Sequence, residues 1–439
     1  MPLIENICPG SYQPFAVLRE HSVLHTEAIS IGDVFCFLVP ALQFIQFQGA
    51  GVLTISDLML VAALPIAVLR HPDRLRQKPI PAILILGVFW LVSQVATDIL
   101  RSSAPEDFLR GWSKIFLLLV NFSVVWIVAS QTRRRFVLYA IGLAIGTILG
   151  VYINPSPDAL IDPWKFGFGV PVTLLVVIWT AAHLTQRRYL GILVPLTALA
   201  IVHAFGNYRS LAVITFIAAI YSIFQMSSAG DRDKQQFGRF RLAVLGLTVV
   251  CGIWIFTEIY SHYVERGVFG QYAQRKLEVQ TNGAGGLLLG GRGEILASGQ
   301  AIIDSPLLGH GSWARDPTYA AILAEKRAEL GYKSVEGQGG KKDDLIPTHS
   351  YIFGAWVEAG LAGGLFWLFV LSYTIRALVK TSGSEPLIPL FAFIGFLLIW
   401  DILFSPLGMP TRFIAPFFIA AMVVLASFRD MQTAVAEEI

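Results

Sequence analysis

Charged residues and cysteines are both scarce in this sequence. Asp, Glu, Lys and Arg make up 14% of its 439 residues, whereas 55% of the residues are apolar and the mean hydropathy is +0.62. This balance excludes a set of ordinary soluble domains and is typical of a protein with many membrane-spanning helices. The net charge of +3 is too small to indicate a nucleic-acid-binding protein. The three cysteines, Cys8, Cys36 and Cys251, form neither a disulfide framework nor a metal-binding pattern.

Two further patterns are missing from the polar part of the chain. The glycine-rich run from Gly283 to Gly293 lacks the Lys-Ser/Thr ending of a nucleotide-binding P-loop, so we exclude a nucleotide site. The carboxylates in the same region show no metal-ligand spacing; they are Asp304, Asp316, Asp343 and Asp344. We therefore predict a protein that uses no metal ion and no cofactor, and that binds neither nucleotide nor nucleic acid.

Apolar runs long enough to cross a bilayer recur along the chain. We place twelve of them, at 31–48, 51–69, 80–97, 112–130, 136–153, 166–185, 189–205, 209–226, 242–260, 349–375, 386–404 and 412–428. They predict an all-α, polytopic integral membrane protein. Its predicted parts are a cytoplasmic leader (1–30), transmembrane helices 1–9 (31–260), one large loop (261–348), transmembrane helices 10–12 (349–428) and a cytoplasmic tail (429–439). Within the loop, Tyr319 to Leu330 has helical periodicity.

Basic residues alternate between successive connections. One set carries clusters such as Arg133-Arg134-Arg135 and Arg187-Arg188, whereas the short connections of the other set carry isolated residues such as Arg101 and Lys165. Because Lys and Arg accumulate on the cytoplasmic side of membrane proteins, both termini are predicted to be cytoplasmic. The loop 261–348 then lies on the opposite side of the membrane.

His349 ends the polar loop and opens an apolar run that reaches about Tyr373. We predict one continuous helix over this run. At 100° per residue, Gly360 and Gly363 fall on the same side of that helix as His349, where they would let a neighbouring helix pack closely. A histidine in this position either anchors a helix end at the membrane surface or serves as a titratable base, and its position alone leaves both possibilities open.

Four polar groups fall on the same side of the membrane in this topology: Arg209, Arg292, His349 and Arg412. Each arginine has a plainer interpretation as a snorkelling or exposed loop charge. Charged residues that point into a membrane protein are nevertheless costly and usually functional. Together the four would form a cationic pocket with one base. Since arginine binds phosphate oxygens in bidentate fashion, we predict an anionic diphosphate as its ligand.

Four further residues are secondary candidates for the same pocket. Tyr208 directly precedes Arg209, and Ser350 directly follows the histidine. Glu258 lies at the end of a predicted span, where a structural role is an equal alternative. His310 lies in a Gly-His-Gly turn, and turn formation is the simpler explanation for it.

Three motifs occur in a characteristic order over about 200–430. Tyr208-Arg209-Ser210-Leu211 lies at the start of a span. Arg292 is followed by a short amphipathic stretch and the turn Ser305-Pro306-Leu307-Leu308-Gly309-His310-Gly311. His349-Ser350 is followed, after nine intervening residues, by Gly360-Leu361-Ala362-Gly363. In this order the chain resembles the O-antigen ligase and O-antigen polymerase superfamily of bacterial envelope glycosyltransferases. It departs from the family pattern at Tyr208, where many members have serine, and at Ile295-Leu296, where an aromatic residue is usual.

The resemblance implies a GT-C-like fold in the bacterial inner membrane, with the active site facing the periplasm. Such enzymes transfer a glycan from an undecaprenyl-diphosphate donor to a sugar hydroxyl. The residues fit such a transfer: Arg209 and Arg292, with Arg412 in the same cationic pocket, would bind the diphosphate without a metal, and His349 would be the general base. Since the sequence shows no paired carboxylates for a covalent intermediate, we expect transfer with inversion.

The acceptor that the resemblance implies depends on the branch of the superfamily. It is lipid A-core in a ligase and a second lipid-linked glycan in a polymerase. The paired motifs of Arg, ten residues and Gly found in some O-antigen polymerases are absent around Arg209 and Arg292, which favours a ligase. An O-antigen or exopolysaccharide polymerase is the alternative. A polysaccharide transporter or lipid flippase is a more distant one, and internal repeats would favour it.

Overall fold

The computed structural model is built almost entirely from helices, which confirms the predicted all-α class. It describes residues 28–49, 51–183, 189–227, 246, 257–284, 291–332, 344–380, 385–408 and 411–437. Nearly all of the predicted leader and most of the ninth predicted span, 242–260, lie outside the described residues. The last helix continues to Glu437, through most of the predicted tail.

The helices of the first part of the chain are α1 (Ile31–Ala41), α2 (Ile55–Arg70), α3 (Ile80–Arg101), α4 (Pro105–Val128), α5 (Arg133–Ile153), α6 (Pro157–Ile161), α7 (Gly169–His183), α8 (Tyr189–Phe205) and α9 (Arg209–Ser227). Strands β1 (Gln46–Gln48) and β2 (Val52–Thr54) form an antiparallel hairpin between α1 and α2. A π-helical turn, Trp164–Phe168, leads into α7.

The 261–348 segment is largely helical where it is described. Residues 257–265 are helical and lead into it, and it contains α10 (Gly270–Thr281), α11 (Glu294–Asp304) and α12 (Pro317–Glu329). Helix α12 confirms the periodicity seen from Tyr319 to Leu330. The chain then forms α13 (Tyr351–Ala359), α14 (Leu361–Lys380), α15 (Ile388–Phe404) and α16 (Ile414–Glu437).

Six helices among the described residues are long and apolar enough to cross a membrane. They are Ile80–Arg101, Pro105–Gln131, Arg133–Ile153, Trp164–Ala182, Arg209–Met226 and Leu361–Val379. Four more are apolar but shorter: Ile31–Phe44, Tyr189–Phe205, Ile388–Phe404 and Ile414–Ser427. Each of the six overlaps a predicted span. The fold is thus a helical bundle of the membrane-spanning kind, and the count of twelve spans stays a prediction.

The first predicted span, 31–48, is not a single helix. Helix α1 has 11 residues and ends at Ala41, because glutamines and glycines follow and the chain turns into the β1–β2 hairpin. At 1.5 Å per residue α1 rises only about 16 Å, roughly half the thickness of a bilayer core. It packs instead along α5, where a Cβ at Gly142 or Gly146 would overlap backbone carbonyls of α1. Small residues thus permit the close approach of two backbones.

The prediction of a continuous helix from His349 is wrong, because the chain breaks at Gly360. This residue has φ 65° and ψ −153°, a conformation that side-chain-bearing residues rarely adopt. Helix α13 therefore ends before it and α14 begins after it, and the predicted alignment of His349, Gly360 and Gly363 on one face does not apply. A Cβ at Gly363 would overlap the carbonyl oxygen of Ala355 in α13. The close packing predicted for these glycines is thus between two halves of one interrupted segment.

Helix α15 lies near the centre of the bundle and packs against α7, α9, α13, α14 and α16. Most of its side chains are buried and apolar, including Phe391 and Phe393. This placement brings the last turn of α15, with Trp400 and Phe404, beside the start of α13. The candidate site lies at that junction.

Candidate functional site

A small, partly open pocket lies where α11 meets the start of α13 and the end of α15. Its lining consists of Arg292, Ile295, Ser298, His349, Ser350, Phe353, Leu403 and Phe404. The structure therefore brings together Arg292 and His349, two predicted site residues from different motifs. A base and a fixed positive charge share one cavity with apolar walls.

The cap of α13 holds His349 at the edge of this pocket. The hydroxyl of Ser350 accepts a hydrogen bond from the Phe353 amide at 3.2 Å, as an N-cap residue does. The same hydroxyl donates to the Ile402 carbonyl of α15 at 2.7 Å. Ser350, a secondary candidate, thus fixes the start of α13 against α15 and positions the histidine next to it.

Arg292 reaches the pocket from the chain just before α11. Its guanidinium carbon lies 5.7 Å from the centre of the Trp400 ring, within the range of a cation–π contact. One of its nitrogens donates to the Gly291 carbonyl at 3.2 Å. Burial lowers the pKa of Arg292, and the charge of Glu294 opposes that shift. A partly desolvated guanidinium gains more from an anionic ligand than one in bulk water does.

Arg209, the first residue of α9, is connected to Arg292 through α10. Its guanidinium donates to the side-chain oxygen of Gln280 and lies 5.4 Å from the Tyr260 ring centre. The Gln280 amide nitrogen packs against Gly291, where a Cβ would lie 3.3 Å away. The charges of the two arginines act on each other. The structure thus brings the second predicted arginine to the same region.

Lys165 belongs to this region and was not predicted as a site residue. It lies in the π-helical turn Trp164–Phe168, and its charge acts on His349. Buried His203 anchors the turn, because its Nδ1 accepts a hydrogen bond of 3.1 Å from Trp164 Nε1. Turns of this kind are frequent at functional sites. The sequence offered one signal for Lys165. It is an isolated basic residue in the set of connections, predicted to lie opposite the cytoplasm, that carries few basic residues.

Burial, more than the nearby charges, favours the neutral form of His349. Burial lowers the pKa of His349 below its ordinary value of 6.5; the charge of Glu294 acts in the opposite direction, while Arg292 and Lys165 lower the pKa further. A histidine with a lowered pKa is unprotonated at neutral pH. It can therefore accept a proton from a neighbouring hydroxyl.

Tyr208 lies at the border of this cluster. Its backbone amide donates to the His203 carbonyl at 2.9 Å, which holds the turn between α8 and α9. Burial raises the pKa of Tyr208, the charge of Asp401 raises it further, and that of Arg292 lowers it. The phenol is therefore neutral and within the field of Arg292. This secondary candidate lies beside the arginines.

Arg412 has a different environment. One guanidinium nitrogen lies 2.8 Å from the Asp57 carboxylate, and another donates to the Val52 carbonyl at 2.8 Å. The Asp57 side chain is 1% exposed and also closes a capping box with Thr54 at the start of α2. Arg412 thus connects the chain before α16 to the β1–β2 hairpin. It is not one of the pocket-lining residues, and its predicted donor-binding role stays a prediction.

The two remaining secondary candidates lie outside the pocket lining. Glu258 is exposed on the helical stretch 257–265. The His310 ring donates from Nε2 to the Ala301 carbonyl at 2.8 Å and lies edge-on to Tyr319. Its backbone amide donates to the Val357 carbonyl of α13 at 2.7 Å. His310 therefore has the turn-forming role that its sequence context indicated.

The Pro306–Gly311 turn docks on the break between α13 and α14. A Cβ at Gly309, whose φ is +81°, would lie 2.6 Å from the Gly360 amide nitrogen. The Leu361 amide donates to the Leu307 carbonyl at 3.3 Å. Two of the three sequence motifs are therefore in direct contact, and this contact sets the position of α11 relative to His349.

The described helices and pocket define a helical bundle, with helices able to cross a membrane, that carries a cationic pocket with one histidine. No protein-family model matches the chain, and no curated protein matches it significantly. The function of the pocket is therefore argued from its geometry and from the three motifs.

Proposed function

We propose that the protein is a glycosyltransferase of the O-antigen ligase type. It would move a glycan from an undecaprenyl-diphosphate donor to a sugar hydroxyl, most simply that of lipid A-core. The observation that supports this most directly is the shared pocket of Arg292 and His349, with Arg209 and Lys165 within electrostatic reach. A diphosphate-linked donor needs fixed positive charge for its leaving group, and a hydroxyl acceptor needs a base.

The cationic residues have roles that follow from charge. As the bond between the anomeric carbon and the diphosphate breaks, the leaving group takes the electron pair and its negative charge grows. Arg292, Arg209 and Lys165 would stabilise that charge. Arginine suits the task because its planar fork binds two phosphate oxygens at once.

His349 would take the proton of the acceptor hydroxyl while the hydroxyl oxygen forms the new bond to the anomeric carbon. The product has inverted configuration, because a single displacement replaces one bond by another on the opposite face. No metal is required, since the guanidinium and ammonium groups carry the positive charge.

The proposal includes a location and a topology. The protein would lie in the bacterial inner membrane, with a GT-C-like arrangement of twelve spans and the pocket facing the periplasm. The asymmetry of basic residues between connections supports this orientation. Membrane lipids would surround the bundle, and the lipid tail of the donor would lie against its apolar helices.

The test separates binding from chemistry. The full-length protein is purified, and donor binding and single-turnover transfer are measured with one defined lipid-linked glycan. His349→Ala should leave donor affinity nearly unchanged and slow transfer by about 10²–10⁴-fold, the usual range for general-base catalysis. Arg292→Ala should weaken donor binding and also slow transfer, and Arg292→Lys should restore only part of each.

Exposed residues of the same types are the controls. His262→Ala and Arg266→Ala replace an exposed histidine and an exposed arginine of the 261–348 segment. Both variants should bind donor and transfer glycan as the wild type does. Equal loss of donor binding in His349→Ala and Arg292→Ala would contradict the base assignment. Comparing lipid A-core with a second lipid-linked glycan as the acceptor distinguishes a ligase from an O-antigen or exopolysaccharide polymerase. Movement of the intact lipid-linked glycan across a vesicle membrane, without transfer, would favour a transporter or flippase.

A further inference from the structure

Glu294 is a half-buried carboxylate beside the pocket that the roles above do not use. It is the first residue of α11, two positions after Arg292, and its neighbours Ile295 and Ser298 line the cavity. Its Oε2 atom is buried and accepts no hydrogen bond from the residues that the structure describes. A buried oxygen of this kind is costly and calls for a physical explanation.

The charges around His349 supply that explanation. Three groups act on the imidazole: Glu294 and Arg292 from the start of α11, and Lys165 from the π-helical turn. Arg209 of α9 acts on Arg292, and Asp401 of α15 acts on Tyr208. Two of these three groups are positive, so a proton arriving on the ring meets repulsion from both. Of these three groups, Glu294 is the negative one, and it attracts the proton.

We propose that Glu294 is a positioning residue that stabilises the imidazolium form of His349 during glycan transfer. This inference rests on the proposed function. In the reaction the proton moves from the acceptor hydroxyl to an imidazole nitrogen. Glu294 acts through its charge and forms no covalent bond. Its negative charge offsets the fixed positive charges that the diphosphate requires.

The change Glu294→Gln keeps the shape of the side chain and removes its charge. Without that charge the imidazole is a weaker base, so the plateau rate of single-turnover transfer should fall, by about tenfold or more. The acidic limb of the rate–pH profile, where protonation of His349 abolishes activity, should move to lower pH. Donor affinity should stay the same or rise, because removing a carboxylate leaves the neighbouring Arg292 more strongly positive.

The experiment uses the purified full-length protein, one defined lipid-linked donor and one acceptor, with each rate measured across pH at saturating donor. Glu294→Gln is compared with the wild type, with Glu294→Asp, and with His349→Ala alone and combined with Glu294→Gln. The exposed Glu329→Gln in α12 is the matched control and should be unaffected. Glu294→Asp should recover part of the rate and of the pH profile, since it restores the charge. The double variant should be no slower than His349→Ala, because Glu294 acts only through the ring.

Two results would overturn the inference while leaving the proposed function intact. One is normal transfer in Glu294→Gln with an unmoved acidic limb, at the same time as His349→Ala is inactive. The other is a loss of donor binding in Glu294→Gln, which would place the carboxylate in the donor site or the fold. If the wild type transfers no glycan from any diphosphate-linked donor, the proposed function itself fails.

Discussion

Replacing Gly360 by alanine should destabilise the protein and displace the Pro306–Gly311 turn. Alanine at φ 65° and ψ −153° costs about 1–3 kcal/mol in backbone strain. Its Cβ would also overlap the Leu307 carbonyl, and relieving such overpacking costs about 1–3 kcal/mol. The expected total destabilisation is therefore at least ~2 kcal/mol. It arises at the contact that positions α11 relative to α13.

Gly354→Ala is the matched comparison, because the residue lies in the same short helix α13. A Cβ there would lie 3.6 Å from the Thr348 hydroxyl oxygen, an ordinary contact. Alanine inside a helix is favoured over glycine by about 0.5–1 kcal/mol, so this variant should be neutral or slightly more stable. The two variants should thus differ by at least ~2.5 kcal/mol in unfolding free energy.

The assay is reversible unfolding of both purified variants in the same detergent, followed by tryptophan fluorescence. Single-turnover transfer is measured in parallel, and Gly360→Ala should be slower because Arg292 and His349 lose their fixed separation. Equal stability of the two variants would show that the turn and the helix break are not coupled as described. Normal transfer by a destabilised Gly360→Ala would show that the pocket does not depend on this contact.

Two other predictions concern charges. Arg412→Ala should destabilise the protein by about 3–5 kcal/mol in the same unfolding assay, since it leaves Asp57 buried without its partner, and Asp57→Asn in that background should recover part of the loss. Donor affinity of the folded Arg412→Ala protein should be unchanged if the arginine is structural, whereas weaker binding would restore its predicted donor-binding role. Transfer by the wild type should persist in excess EDTA, because cationic side chains screen the diphosphate. Activity that disappears with EDTA and returns with magnesium would contradict this assignment.

The sequence predicted those helices whose apolar runs have clear ends. Helices α3, α4, α5 and α9 lie close to their predicted positions because long apolar stretches and basic flanks define them. Hydropathy measures only how apolar a stretch is, so it could not detect the turn after Ala41. Nor could it detect the break at Gly360, which depends on a positive φ and on contact with a distant turn.

The candidate site was predicted in part, because motifs mark residue types and not their partners. Arg292 and His349 were expected together, and the pocket contains both. In the sequence Arg412 resembled Arg209, a basic residue at a span start, yet its partner is Asp57 in the first turn of α2. Lys165 and Glu294 belong to the charge cluster through the π-helical turn and the start of α11. The sequence marked Lys165 only as an isolated basic residue between predicted spans, and it did not mark Glu294.

The pairing of Asp57 with Arg412 has a consequence for how the protein is made. The two residues lie near opposite ends of the chain, and the Asp57 carboxylate, 1% exposed, lies 2.8 Å from the Arg412 guanidinium. During synthesis, the start of α2 emerges long before the segment that precedes α16. Because an unpaired carboxylate is costly within a bilayer, that end of α2 must remain hydrated at the membrane surface until the last helices are inserted. Truncation before Arg412 should therefore trap α2 outside its final position, even though the truncated chain retains every residue of the pocket.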